Sequence, residues 1–307
     1  MKQEIDINAP VNLLLLTLLI ALLSFTIVML IGSLIAVPLF GIHPSFLLSP
    51  SKDLTDPSTI PVMKYFQMLQ TIGLFILPPF LIAIATRKNP ATFLKLNKLP
   101  SGMAVIYSIS LIFATAPFIY FVGEWNANLH FPEWLSGLEK WLYQTDQDTK
   151  ELVKAFLKTE GTAAFIYNLI MIAILPALGE EFLFRGIFQQ QFSRLTRNKH
   201  AGVIIAACLF SVLHMQFSGF FPRFILGAMF GYLFLWCGSL WLPIAVHFVN
   251  NAFALIAHQK MAGTPLDPLT SNNNLAYPFY VTILSLLGSI VLLWAIYHTQ
   301  KKEHRKN

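Results

Sequence analysis

The stretch Val11–Phe40, VNLLLLTLLIALLSFTIVMLIGSLIAVPLF, decides the class of fold. A hydrocarbon layer of about 30 Å is crossed by about 20 helical residues, and this apolar run exceeds that length. A secretory signal has a basic start and an apolar stretch of only about 7–15 residues. The residues that lead in here, MKQEIDINAP, are not basic, and the run is far too long. We therefore read it as a retained first span.

Working outward, similar runs place further spans near 60–86, 102–122, 162–184, 200–217, 221–237, 240–258 and 277–298. All are expected to be helical, because an unpaired backbone group costs several kcal/mol in lipid. The expected fold is an all-α integral membrane protein of about eight transmembrane helices. Its expected organisation is three N-terminal helices over 1–122 and an extracytoplasmic amphipathic segment over 123–161. A core of helices four to seven follows over 162–258, then a last helix and basic tail over 259–307.

Composition agrees. A chain of 307 residues could form one large or two ordinary soluble domains. Apolar residues make up 55% of it and charged residues 12%, with a mean hydropathy of +0.61. A soluble domain carries about twice that charged fraction. Cys208 and Cys237 lie within apolar stretches and read as small buried hydrophobes, not as a disulfide framework. The net charge of +6 does not point to nucleic acid, because the basic residues sit at the ends of apolar segments.

Those basic residues set the orientation. Arg87, Lys88, Lys95 and Lys98 lie between spans two and three, and Arg185, Arg194, Arg197 and Lys199 between spans four and five. Lys301, Lys302, Arg305 and Lys306 lie in the tail, against Glu303. With eight spans these segments share one face. The opposite face receives Lys52, Asp53 and Asp56, the segment 123–161, then Lys260 and Asp267. The expectation is a multi-pass cell-membrane protein with both termini in the cytoplasm. The segment 123–161, with Trp125, Trp134 and Trp141 among alternating charges, reads as amphipathic helix at the outer surface.

Against this background the ionisable residues inside spans stand out, since each is expensive there. Between Glu160 and Asp267 the only carboxylates are Glu180 and Glu181, in LPALGEEFLFRGIF. They could simply mark a helix end, but the sequence continues apolar beyond them. Arg185 stands four residues after Glu181, on the same helical face, where the two can pair. Glu180, about 100° around the helix, is left without an intrahelical partner. His214 lies in CLFSVLHMQF, where a lone histidine could equally be a packing residue. His247 and Asn251, one turn apart in LPIAVHFVNNAF, point the same way and could serve as interhelical glue.

Geometry links the three segments. In a tight antiparallel hairpin of spans four and five, residues equidistant from the turn lie at equal depth. Glu180 and His214 are equidistant from the polar connection SRLTRNKH. His247 is level with them if that hairpin projects past the membrane edge. A carboxylate in such apolar surroundings is a competent general base, and two adjacent acids, one neutralised by arginine, have two different environments. Imidazole can share proton transfer or bind a metal, and the Asn251 amide can donate to an oxyanion. No hydroxyl or thiol nucleophile stands beside a base in these segments, so water is the expected attacker on a carbonyl compound.

Glu180-Glu181-x-x-x-Arg185, Phe210-x-x-x-His214 and His247-x-x-x-Asn251, in this order, resemble the CPBP family of intramembrane proteases. That family comprises CAAX proteases and bacteriocin-processing enzymes, also called Abi proteins. The resemblance covers roughly residues 162–255. It implies an eight-helix fold with a cavity open to the cytoplasmic side, and a catalytic set of Glu180, Glu181, Arg185, His214, His247 and Asn251. By position, Glu180 would activate water with help from His214. Glu181 would be held by Arg185 or share that work, and His247 and Asn251 would stabilise the oxyanion. The resemblance leaves metal dependence open. HExxH is absent, yet Glu180, His214 and His247 form a legitimate Zn2+ set; we expect no tightly bound metal and no other cofactor.

The expected function is an intramembrane endopeptidase acting on a membrane-associated or hydrophobic protein or peptide, including prenylated CAAX-type substrates. Its expected partners are the lipid bilayer and a peptide or lipidated-protein substrate. The alternatives are a proton-coupled transporter, for which no inverted repeat is evident, and a non-catalytic scaffold or immunity protein on the same fold. Phe217, Phe220, Phe221 and Phe224 lie near the site in sequence and read as packing or lipid-facing side chains rather than a substrate groove.

Overall fold

A computed structural model describes residues 6, 8–43, 58–158, 161–261 and 277–303. Lys52, Asp53, Asp56, Glu160, Asp267, Arg305 and Lys306, on which part of the orientation rests, lie outside the described residues. Among the described residues the fold is helical, without strands: α1 (Pro10–Phe40), α2 (Ile60–Ala85), α3 (Gly102–Ala127), α4 (Ser136–Leu157), α5 (Thr162–Thr196), α6 (Lys199–Val212), α7 (Phe220–Cys237), α8 (Trp241–Met261) and α9 (Phe279–Glu303). All but α4 and α6 are long and apolar enough to cross a membrane, which makes seven.

The fourth and fifth expected spans take a different form. At 1.5 Å per residue, α6 with its 14 residues is only about 21 Å long, short of a full span. In compensation α5 runs 35 residues, about 52 Å, straight through the polar stretch expected to be a connection. The polar stretch stays helical because its residues bond back along the helix and pack on α6. Ser193 Oγ donates to the Gln189 carbonyl at 2.7 Å, and Gly202 fits against Ser193, where a Cβ would meet its Oγ at 2.0 Å. The α5–α6 hairpin therefore projects beyond the start of α8.

Surface polarity is inverted, as lipid contact requires. On α1, Leu15, Leu18, Leu22, Leu30 and Leu34 are exposed, while the face turned to the protein is mostly small: Thr17, Ala21, Ser24, Gly32 and Ala36. Lipid tails are as apolar as leucine, so helices associate through close backbone approach and polar links instead. Two such links repair proline damage. Pro78 lacks the N–H that would serve the Gly73 carbonyl in the π-helical turn 72–76, and the Ser24 hydroxyl donates to that carbonyl at 2.6 Å. Beside Pro117 in α3, the Ser285 hydroxyl of α9 replaces one helical bond. It accepts from Phe118 N–H at 3.1 Å and donates to the Ala114 carbonyl at 2.6 Å.

Buried charges also lie where the sequence did not mark them, and Lys64 is one. Lys64, inside α2, donates to Asn168 Oδ1 at 2.9 Å, and Asn168 Nδ2 donates to the Phe156 carbonyl at 3.1 Å. This ties α2 and α5 to the end of α4. Cys237 is buried as expected, but Cys208 is exposed on α6, facing away from the protein. It sits on the outer side of a helix that packs against α5 and α7 with its other face. The four phenylalanines have ring partners: Phe217 packs on Phe131, Phe221 on Trp125, and Phe220 on both Phe221 and Phe224.

Candidate functional site

Glu180 and Glu181 lie near the middle of α5, between π-helical turns at 169–174 and 184–188. Gly179 makes this possible, because α2 crosses α5 there. A Cβ at Gly179 would lie 2.8 Å from Phe75 Cβ and 3.0 Å from Ile76 Cγ1. Gly179→Ala is therefore expected to push α5 off α2 beside Glu180 and to destabilise the protein by about 1–3 kcal/mol. Thermal unfolding in detergent measures this.

Glu181 and Arg185 are the buried heart of the site, with side chains 0% and 1% exposed. Arg185 Nη1 donates to Glu181 Oε1 at 2.7 Å, the pairing expected from their spacing. Its Nη2 donates to the Gly227 carbonyl at 2.8 Å, and its guanidinium lies 5.0 Å from the Phe210 ring centroid and 5.6 Å from that of Phe230. The charge is thus met by a carboxylate, a carbonyl and two ring faces, which is what a buried arginine needs. Gln189, one turn on, repeats the contact by donating to the Gly231 carbonyl at 3.0 Å. Gly227 and Gly231 form a GxxxG pair whose bare backbone admits α6 and the Gln189 side chain. A Cβ would lie 3.2 Å from Phe210 Cδ1 at Gly227, and 2.9 Å from both Val203 Cγ1 and Gln189 Oε1 at Gly231. That motif, in GAMFG, was the sequence signal for these partners and was not used.

His247 enters from α8 at the same level. Its Nδ1 lies 2.8 Å from Glu181 Oε1, and its ring stacks on Phe230 at 5.1 Å. A carboxylate only accepts, so Nδ1 carries a proton, and in the neutral ring Nε2 is the acceptor. Nε2 stands 3.9 Å from Glu180 Oε2. Glu181 is therefore shared between Arg185 and His247, an arrangement that the spacing of Glu181 and Arg185 alone did not reveal.

His214 follows the end of α6. Its Nδ1 lies 2.7 Å from the Phe210 carbonyl, so again Nδ1–H donates and Nε2 is bare. It stands within electrostatic reach of Glu180, His247 and Arg223. Asn251, one turn beyond His247, is partly engaged: its Nδ2 donates to the Ile172 carbonyl at 3.3 Å and its Oδ1 accepts from Asn250 at 3.2 Å. In a regular α-helix the Ile172 carbonyl would bond the N–H of residue 176, which is a proline. Asn251 serves that carbonyl and keeps one amide hydrogen.

Both histidines point a bare Nε2 away from an Nδ1–H that is anchored, the habit of metal-binding imidazoles. Yet no three of His, Cys, Asp and Glu among the described residues stand close enough to hold one ion. Glu180, His214 and His247 do not form a ligand set in this arrangement.

With this geometry in hand, comparison with known proteins is informative. Residues 162–253 match the family model for type II CAAX prenyl endopeptidase, Rce1-like. A match of 27% identity over 145 residues links the chain to the membrane-embedded CAAX protease MroQ of Staphylococcus aureus, covering 46% of this chain and 57% of that protein. The uncharacterized proteins YpbD and YyaK of Bacillus subtilis are each 30% identical, over 91 and 166 residues. These cover 28% and 48% of this chain, and 43% and 54% of YpbD and YyaK. The chain thus spans about half the length of the curated relatives it matches. No solved structure matches it.

Proposed function

We propose that this chain is an intramembrane protease of the CPBP family and that it hydrolyses a peptide bond with water activated by Glu180. The observation that carries the mechanism is the 3.9 Å gap between Glu180 Oε2 and His247 Nε2, two acceptors that face each other. A water donating to both fits that gap with about 2.8 Å to each. Glu181 and Arg185 are buried and bonded, which suits them to hold His247 in the Nδ1–H tautomer rather than to react.

In the step we propose, the water oxygen attacks the scissile carbonyl carbon while its proton passes to Glu180 Oε2. The charge that develops on the carbonyl oxygen meets the remaining Nδ2–H of Asn251, as an oxyanion donor. His214, with a bare Nε2 in electrostatic reach of Glu180, shares the proton. The carbon–nitrogen bond then breaks, the leaving amine takes the proton from Glu180, and a carboxylic acid remains. The substrate class we infer is a hydrophobic or lipidated peptide, in keeping with the names of the matched family and of MroQ. We place both termini in the cytoplasm, on the face of Arg87, Lys88, Lys95, Lys98, Arg197, Lys199, Lys301 and Lys302. Although short, α6 returns the chain to the far end of α3, where Asn126 bonds Phe217 and Phe221, so the number of crossings stays even.

The test is cleavage of prenylated and unprenylated hydrophobic peptides by the purified protein in detergent, run in 18O-labelled water with a chelator titrated in. The expected result is one 18O atom in the new carboxyl group, with the rate unchanged by chelator. A rate abolished by chelator and restored by zinc would overturn the metal-free step and turn the histidine Nε2 atoms into ligands.

A further inference from the structure

The turn between α6 and α7 carries His214 in a conformation that its own sequence does not favour. Met215 stands at φ +55°, a left-handed conformation that residues with long side chains adopt infrequently. Three side chains from outside the turn hold it. Asn126, fully buried at the end of α3, brackets the turn like a strand of backbone. Its Nδ2 donates to the Phe217 carbonyl at 2.9 Å and its Oδ1 accepts from Phe221 N–H at 2.8 Å. Asp146, buried on α4, accepts from Ser218 N–H at 3.0 Å through Oδ2. Arg223, on α7, donates through Nη1 to Gln216 Oε1 at 2.8 Å and through Nη2 to the Gln216 carbonyl, with Gly219 leaving room for its guanidinium.

The charges divide in a way that assigns roles. Arg223 is engaged by Gln216 and lies within electrostatic reach of both Asp146 and Glu180. A free cationic site for a substrate carboxylate is not what this arrangement offers. It is a clamp. Two of its three members, Asn126 and Asp146, lie outside the 162–253 segment that the family model matches. We propose that Asn126 and Asp146 are positioning residues: through the turn 215–221 they fix the ring of His214 opposite Glu180, making α3 and the amphipathic helix α4 working parts of the active site. The catalytic half of this inference rests on the proposed function; the positional half does not.

The experiment reads both halves. Protein labelled with 15N-histidine in detergent at fixed pH is observed by long-range 1H–15N correlation, with His214 and His247 signals identified by His214→Gln and His247→Gln. In the wild type, both rings should show the Nδ1–H tautomer. Asp146→Ala and, through a different helix, Asn126→Ala should turn His214 into a tautomer mixture and leave His247 unchanged. On peptide substrate they should lower kcat on the order of ten- to a hundredfold, as expected for a displaced catalytic group, with KM within about twofold. Asp146→Asn, whose side-chain oxygen can still accept from Ser218 N–H, should restore most of both signatures. A wild-type His214 signature in folded Asp146→Ala and Asn126→Ala would overturn the proposal. So would loss of the His247 signature alongside that of His214, since the two residues would then hold the whole fold. Absence of cleavage by the wild type would sink the protease mechanism, while the tautomer pattern would still decide the clamp.

Discussion

Glu180→Gln is expected to abolish measurable peptide cleavage, lowering kcat by about 10²–10⁴, while the protein inserts and folds as before. Glutamine matches glutamate in size and keeps one acceptor oxygen, so only the base is lost. Nothing in the packing opposes the change. The Glu180 side chain is 16% exposed, and its 3.9 Å approach to His247 is beyond hydrogen-bond length. Stability should therefore stay within about 0.5 kcal/mol of the wild type. Cleavage rates and thermal unfolding of the same detergent preparation measure the two effects. Cleavage by Glu180→Gln at the wild-type rate would remove Glu180 from the mechanism and leave His247 or His214 as the base.

The opposite pattern is expected at its neighbours. Arg185→Ala removes the partner of a fully buried carboxylate and leaves it uncompensated, which costs about 3–5 kcal/mol. The same change also strips the donor from the Gly227 carbonyl and the cation from the Phe210 and Phe230 rings. Glu181→Gln leaves Arg185 buried with only neutral acceptors and should cost a comparable amount. Replacing both together, as Glu181→Gln with Arg185→Met, should destabilise by much less than the sum, because no lone charge remains. Activity of the double variant should still be low, since His247 Nδ1 then faces an amide instead of a carboxylate. Chemical unfolding in detergent gives the cycle. A double variant as unstable as the sum of the singles would mean that the two groups do not act as a pair.

These two expectations differ because adjacent residues on one helix meet different surroundings, and the sequence carried only part of that difference. It determined the class of the molecule, since a run such as Val11–Phe40 has one stable home. It determined the pairing of Glu181 with Arg185, because a spacing of four puts two side chains on one helical face wherever the helix lies. It also singled out Glu180, His214 and His247, because ionisable groups are rare and costly in apolar helices.

Only the tertiary structure decided which of these groups touch. His247 reaches Glu181 from 66 residues away because α5 and α6 extend past the start of α8, and depth depends on where several helices end, not on the pattern within one. The division of Asn251 between the Ile172 carbonyl and the site depends on Pro176, which has no N–H to offer that carbonyl. The brevity of α6 was hidden because the apolar residues after Val212 continue in composition but not in backbone conformation. The clamp of Asn126 and Asp146 was equally illegible, since both bond to backbone atoms, and a backbone N–H or carbonyl has no letter in a sequence. Periodicity and composition report forces that act along one helix, whereas the meeting of helices is settled by close packing and polar satisfaction among all of them at once.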